Sequence, residues 1–146
     1  MTDSEFCSLM YMEKQFVRPQ RVILPGERES KVFDVKSIST RDIFMLDYSR
    51  HGRYDLKHKS QLRHSKDILM VRLEINGPEH INPDGHIISR NHIHIYKEGY
   101  DGLAWAYELD DILPQVLPHA TPLNIFKVFC EYCKIDVSNV FLQEVL

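Results

Sequence analysis

The sequence predicts an α+β domain, in which an antiparallel meander sheet of five or six strands carries N-terminal and C-terminal helices packed on one face. Two patterns lead to this fold class. Apolar residues recur at helical spacing near both ends of the chain, and in the middle they alternate with polar residues, as in half-buried antiparallel strands. No internal repeat or low-complexity tract interrupts the 146 residues, so residues 1–146 are expected to form a single domain.

The N-terminal helix is predicted from its start signal. Thr2 is followed three residues later by Glu5, the capping-box spacing that satisfies free backbone N–H groups at the beginning of a helix. Near-helical spacing continues through an apolar set, namely Phe6, Leu9, Met10, Phe16 and Val17. We expect this helix to end before Pro19.

The strands are predicted from two-residue alternation. Five segments show it, at residues 33–36, 44–48, 53–63, 69–75 and 92–96. A further strand is expected from Leu103 to Leu109. The connections at residues 51–52 and 64–67 are short enough for hairpins, which makes the sheet antiparallel.

The C-terminal region is predicted to be helical. Thr121 followed by Pro122 places an N-cap before proline at the first helical position. Cys130 and Cys133 form a CxxC pair in the apolar stripe of this helix, and without a second pair we expect them to pack in the core. Ser138 is expected to cap a last short helix.

Composition excludes several classes of protein. The net charge of −3 argues against a bulk nucleic-acid coat, and three cysteines argue against a secreted disulfide framework. No basic segment leads into a long apolar run at the N-terminus, and no stretch approaches the roughly 18 apolar residues of a membrane helix. We therefore expect a cytoplasmic protein without a membrane partner.

One sheet face is predicted to be open and basic. If the apolar residues of each strand face the helices, the alternating polar residues share the other face. That face would carry Arg53, Lys57, Lys59, Gln61 and Arg63, then Arg72 and Glu74, and then His92, His94 and Tyr96. Such a surface suits a phosphodiester backbone. The alternative is an ordinary solvated sheet face, which needs polar residues in any case.

His92 and His94 are the strongest candidates for chemistry, because a spacing of two on a strand puts both side chains on one side. Two imidazoles can divide the base and acid roles of an RNA cleavage that uses the substrate's own 2′-hydroxyl and needs no cofactor. The catalytic set predicted is His92, His94, Arg72 and Glu98, with Glu74 as an alternative to Glu98 and Lys57 as an alternative to Arg72. His80 is placed at the rim with the binding residues.

The segment from His80 to His86 allows two interpretations. Asn82-Pro83-Asp84-Gly85 is a strong turn sequence, because proline sets φ and glycine accepts positive φ. The flanking histidines also allow a metal site with His80, Asp84, His92 and His94 as donors, although the spacing matches no known zinc signature such as HExxH. The expectation adopted is no metal.

The chain resembles an uncharacterised family of small bacterial and phage proteins. The resemblance lies in His80-x-Asn-Pro-Asp-Gly, the string His92-Ile-His-Ile-Tyr-Lys-Glu-Gly-Tyr100, and Trp105-Ala-Tyr107, and it extends to Leu69–Ile75 and the late Phe-Cys-x-Tyr-Cys. It implies a bacterial or mobile-element setting, in which small proteins are often toxins, antitoxins or inhibitors of host defence. It implies no catalytic residue.

Two functions follow as hypotheses. The first is a nucleic-acid-acting protein of a bacterial or phage conflict system, with a metal-independent endoribonuclease toxin as its simplest form. The second is a non-catalytic binder, such as an anti-CRISPR-type inhibitor of a host defence nucleoprotein or an antitoxin-like partner. An enzyme requires several of these groups to converge in one site, whereas a binder requires only exposed area. The expected partner is nucleic acid or a nucleoprotein complex.

Overall fold

A computed structural model of the chain describes residues 1–19, 22–51 and 56–144. The helices are α1 (Asp3–Tyr11), α2 (Leu109–Ile112) and α3 (Pro122–Tyr132), with a 3₁₀ turn at Leu117–His119. The strands are β1 (Lys14–Phe16), β2 (Val22–Leu24), β3 (Glu29–Ser37), β4 (Ile43–His51), β5 (Lys57–His64), β6 (Ile68–Ile75), β7 (His80–Ile81), β8 (Ile87–Ile88), β9 (His92–Ile95), β10 (Ala106–Glu108), β11 (Ile135–Asp136) and β12 (Leu142–Glu144).

The main sheet has eight strands in the order β10-β9-β6-β5-β4-β3-β1-β11. Every neighbouring pair is antiparallel except β1 and β11, which are parallel. The α+β class with a mostly antiparallel sheet is therefore confirmed. The count of five or six strands is wrong, because β1 and β11 are too short to show a two-residue alternation in the sequence.

The register separates two faces of the sheet. Tyr48, Ser60, Leu73 and Ile93 lie opposite one another across four strands and are all buried. Phe126 of α3 packs its ring against this side, 5.8 Å from the Tyr48 ring centroid. The adjacent row carries polar side chains on the other face, here called the open face, and consists of Ser49, Lys59, Glu74 and His92.

The N-terminal helix starts as predicted and ends earlier. Thr2 Oγ1 accepts from the Glu5 amide at 3.0 Å, and the Thr2 amide donates to Glu5 Oε2 at 3.1 Å, which confirms the capping box. The helix ends at Tyr11 rather than near Pro19. The following segment becomes β1 because it pairs with β3 and buries Phe16 in the core.

The C-terminal helix is confirmed and the last predicted helix is wrong. Thr121 Oγ1 accepts from the Asn124 amide at 3.3 Å at the start of α3, next to Pro122. Cys130 and Cys133 are fully buried free thiols, and burial raises the pKa of Cys133 to about 12. The segment after Ser138 forms β12, which pairs in parallel with β2 instead of continuing as a helix.

A register shift between β5 and β6 interrupts the two-residue alternation. Leu62 pairs with Val71 and Arg63 pairs with Leu69, so Met70 has no partner in the register, as in a β-bulge. Met70 and the next residue, Val71, are both fully buried. In the described ranges, no helix is long and apolar enough to cross a membrane.

Candidate functional site

One carboxylate holds both candidate histidines. Glu74 on β6 lies opposite His92 on β9, and His94 lies two pairs further along, opposite Arg72. His92 Nε2 lies 2.9 Å from Glu74 Oε2, and His94 Nε2 lies 3.0 Å from the same oxygen. These three residues, together with Arg72 beside Glu74, form what is here called the histidine–glutamate centre. Its geometry follows from the sheet register, since Glu74 and the histidines alternate onto the same face.

Backbone carbonyls fix the other nitrogen of each ring. His92 Nδ1 donates to Ser89 O at 2.6 Å, and His94 Nδ1 donates to Leu103 O at 2.8 Å. Leu103 adopts a positive φ of 56° in the loop before β10, and its carbonyl contacts the His94 ring. Both rings are thus held from two sides, with their Nε2 atoms converging on Glu74.

The histidines are on the predicted face, but they are buried, with only 1% of His92 and 2% of His94 exposed. His80, from the β7–β8 hairpin, packs its ring 4.6 Å from the His94 ring centroid and 6.0 Å from that of His92. His80 Nε2 donates to Ala104 O at 2.7 Å, which ties the hairpin to the loop before β10. Tertiary packing therefore covers two strand positions that alternation alone predicts to be open.

The Asn82–Gly85 segment forms the predicted turn. The Gly85 amide donates to Asn82 O at 2.8 Å, and Gly85 has a φ of 90°. Asp84 also accepts from the His86 ring at 3.0 Å, so its carboxylate is used within the turn and does not join the centre. The alternative metal set of His80, Asp84, His92 and His94 is therefore not assembled.

The charges of the centre depend on one another. The hydrogen bonds from His92 and His94 hold the pKa of Glu74 far below its usual range. Burial lowers the pKa of both histidines. For His92, the hydrogen bonds to Glu74 and Ser89 outweigh burial and the pKa is raised, whereas the pKa of His94 remains lowered, with Arg72 adding to the effect of burial.

Arg72 and Glu74 form the part of the centre that solvent reaches, with side chains 20% and 19% exposed. Arg72 Nε lies 3.9 Å from Glu74 Oε2, and Arg72 Nη1 donates to Gln61 Oε1 at 3.4 Å. Arg72 Nε is a buried donor without a hydrogen-bond partner among the described residues. A guanidinium thus lies beside the partly exposed carboxylate that both histidines contact.

The basic strand lies on the same face as predicted, but its cations are not equivalent. Arg63 makes a bidentate ion pair with Asp47, with Nε–Oδ2 and Nη2–Oδ1 distances of 2.7 Å each, and Gln61 donates to Asp47 Oδ2 at 2.9 Å. Lys57 and Lys59 are exposed. Arg53 lies outside the described residues. A shallow depression of about 400 Å³ runs along this strand, and Ser30, Asp47, Ser49, Lys59, Gln61 and Arg63 are among the residues that line it.

Two predicted site residues have their contacts elsewhere. The Glu98 carboxylate accepts from the Asp3 amide at 3.0 Å, and the Glu98 amide donates to Asp3 Oδ1 at 2.7 Å, at the start of α1. The Tyr96 hydroxyl donates to Met1 O, and the Tyr96 ring lies 5.5 Å from that of Phe6. The carboxylate that contacts both histidines is therefore Glu74, whereas the sequence favoured Glu98. The alternation of Glu74 with the buried residues of β6 is the sequence feature that places it on this face.

The fold and its centre define an α+β protein with a histidine–glutamate cluster on one face of an eight-stranded sheet. The chain belongs to DUF6978, a family of unknown function, whose model matches residues 1–135. This agrees with the resemblance to an uncharacterised family. Searches of curated proteins and of solved structures found no match.

Proposed function

We propose that the protein acts on nucleic acid, with the open face binding the phosphodiester backbone and the histidine–glutamate centre cleaving it. The observation that supports this is the shared face. Arg72 and Glu74 of the centre lie directly opposite Gln61 and Lys59 of the basic strand in the sheet register. A strand of nucleic acid lying along β5 would therefore pass the accessible side of the centre.

Binding would depend on the lysines of β5. Lys57 and Lys59 are exposed and take part in no ion pair with the described residues, so their charges are available to phosphate. Phosphate contacts of this kind supply most of the affinity that does not depend on base sequence. The depression beside them is shallow and lined mainly by polar groups, which suits an extended polyanion better than an enclosed small molecule.

The geometry favours a different chemistry from the acid–base pair expected from sequence. A metal-independent cleavage needs a base and an acid on opposite sides of the phosphate. Here both Nε2 atoms contact the same oxygen of Glu74, and both rings are buried. Arg72 is left to contact a phosphate oxygen, and the strongly ionised Glu74 is better suited to hold a cation than to take up a proton.

A second candidate, a non-catalytic binder of a protein or nucleoprotein partner, is favoured by one observation. Ile81 and Ile87 lie opposite each other in the β7–β8 hairpin and are 66% and 64% exposed. Exposed apolar pairs of this kind suit a protein contact. An anti-CRISPR-type inhibitor or an antitoxin-like protein of a bacterial or phage conflict system would use such a surface together with the basic strand.

The test is a comparison of binding and cleavage. Wild type, Arg72→Gln and Glu74→Gln are incubated with end-labelled single-stranded RNA and DNA, with His86→Ala as a control because its imidazole is 79% exposed and lies outside the centre. Wild type and the control should cleave at equal rates, and both centre variants should lose more than about 100-fold in rate while still binding. Binding without cleavage by wild type favours the second candidate, and absence of both binding and cleavage rejects the proposal.

A further inference from the structure

We propose that Glu74, His92 and His94 form a divalent-metal site of the zinc class, with a Glu74 carboxylate oxygen and the Nε2 atoms of both histidines as ligands. The three ligand atoms lie within 4.8 Å of one another, and no other described group of three such residues does so. The inference deepens the proposed function by naming the cofactor of its reactive centre. Metal binding itself can be measured without any nucleic acid.

The first argument is that the ring nitrogens face only acceptors. His94 has Leu103 O at 2.8 Å from Nδ1 and Glu74 Oε2 at 3.0 Å from Nε2, and His92 has the equivalent pair of acceptors. A neutral imidazole carries one proton, so it can donate to only one of its two acceptors. The other nitrogen would then present a lone pair to an oxygen lone pair at hydrogen-bond distance.

Two imidazolium rings would satisfy all four contacts, but their charges would be costly. Both rings are almost completely buried and lie 4.7 Å apart between centroids. Arg72 adds a third positive charge, with its Nε 3.9 Å from the one carboxylate that all three groups share. Buried like charges with a single counter-charge are strongly disfavoured. A divalent cation brings the same total charge as two extra protons, but it places that charge in direct bonds to two nitrogens and one oxygen, and each ring then keeps a single proton on Nδ1.

The second argument is the orientation of the rings. Histidines that bind metal usually donate the N–H of their other nitrogen to a carbonyl or carboxylate, which fixes the tautomer and directs the free lone pair at the metal. His92 and His94 both do this, through Ser89 O and Leu103 O. Two independent loops thus hold the two rings in the tautomer that a metal would require.

The donor set selects the kind of metal. Two imidazole nitrogens and one carboxylate oxygen suit zinc and its neighbours, whereas magnesium and calcium prefer oxygen ligands alone. Zinc bonds of about 2.0–2.2 Å place adjacent tetrahedral ligands roughly 3.3 Å apart. The Nε2–Oε2 distances of 2.9 and 3.0 Å need to open by only a few tenths of an ångström. The fourth position would face the partly exposed side of Glu74 and Arg72.

Metal binding is tested on the full chain with Cys7 changed to Ser throughout, because Cys7 is exposed and its thiol could bind zinc. Chelator-treated protein is titrated with ZnCl₂ by calorimetry, and CoCl₂ is added for visible spectroscopy. We expect one zinc per chain and a cobalt spectrum of nitrogen and oxygen ligands without sulfur charge transfer. The double variant His92→Gln, His94→Gln should lose at least about 100-fold in affinity, and the matched exposed control His86→Gln should retain it.

The outcomes separate this inference from the proposed function. Wild type that takes up neither zinc nor cobalt overturns the metal site, as does unchanged affinity in the folded double variant. If the double variant fails to fold by circular dichroism, the wild-type cobalt spectrum decides, and a sulfur-type or fully hydrated spectrum overturns the site. Zinc bound without any cleavage of RNA or DNA supports the site and rejects the nuclease. Cleavage by protein that binds no metal supports the nuclease and overturns the metal site.

Discussion

The Asn82 side chain pairs with the Ala106 backbone as another strand would. Asn82 Nδ2 donates to Ala106 O at 2.9 Å, and the Ala106 amide donates to Asn82 Oδ1 at 2.9 Å. Both groups are buried. This two-bond contact attaches the β7–β8 hairpin to β10 at the edge of the sheet, and so it positions His80 against His94.

Removal of that side chain should loosen the hairpin. Asn82→Ala leaves the buried amide and carbonyl of Ala106 without partners, and each such loss costs about 1–3 kcal/mol. We expect the free energy of unfolding to fall by about 2–4 kcal/mol in urea titrations, and amide exchange to accelerate in residues 80–88 and at Ala106. His86→Ala in the same turn should change neither quantity, and equal exchange in both variants would contradict the role assigned to Asn82.

The sequence predicts the local chemistry of this segment but not its tertiary contact. Asn82 is recognisable as a turn residue because the turn is formed by its immediate neighbours. Its pairing with Ala106 joins residues 24 apart in the chain and depends on how the hairpin packs on the sheet. The same limit applies to His92 and His94. Their common face follows from two-residue alternation, whereas their burial depends on loops that alternation does not describe.

The choice of carboxylate shows a similar limit. Glu74 and Glu98 are both close in sequence to candidate residues, but only Glu74 lies on a strand that pairs with β9. The long strands β3 to β6 are predictable because each shows several cycles of alternation, while β1, β11 and β12 have two or three residues and gain their structure from pairing. Residues 20–21 and 52–55 lie outside the described residues, so the predicted place of Arg53 on the open face is untested.

The proposed nucleic-acid contact predicts unequal roles for two cations on β5. The charge of Arg63 is already neutralised by its bidentate pair with Asp47, whereas Lys59 makes no ion pair with the described residues. Lys59→Ala should therefore weaken RNA binding several-fold. It should also make the slope of log association constant against log salt concentration shallower by about the contribution of one phosphate contact. The double variant Asp47→Asn, Arg63→Gln removes this ion pair as a whole without changing the net charge, so it should lower affinity less. Fluorescence anisotropy at several salt concentrations measures both variants, and a larger effect of the double variant would contradict the proposed binding surface.

A buried lysine connects the ends of two helices. Lys14 Nζ donates to Met10 O at 3.1 Å, to Met12 O at 2.8 Å and to Cys133 O at 2.9 Å, and burial lowers its pKa to about 8. Lys14→Met keeps most of the volume but removes the donor from three carbonyls, so we expect a loss of about 2–4 kcal/mol of unfolding free energy. Lys36→Met on the neighbouring strand is the control, because Lys36 is exposed. Urea titration compares the two, and equal midpoints would show that the three contacts contribute little.

His58 should make the protein less stable in mild acid. It is buried beside Ser60, its ring lies 5.2 Å from that of Tyr48, and Arg50 lies opposite it on β4. Burial, followed by the charge of Arg50, lowers the pKa of His58 from 6.5 to about 3. Burial raises the pKa of Tyr48 to about 12, so the Tyr48 hydroxyl does not titrate in this range.

The sign of the effect follows from proton uptake. Between pH 6.5 and about 3 the unfolded chain binds a proton at His58 that the folded chain does not, so stability is present above pH 6.5 and is lost as the pH falls. Between pH 7 and pH 5 this linkage amounts to about 2 kcal/mol. His58→Gln keeps a polar partner for Ser60 and cannot titrate. Between pH 7 and pH 5, the unfolding free energy of this variant should therefore fall by about 2 kcal/mol less than that of wild type. Urea titrations at pH 7, 6 and 5 measure the difference, and parallel curves for the two proteins would show that His58 does not stay neutral in the folded state.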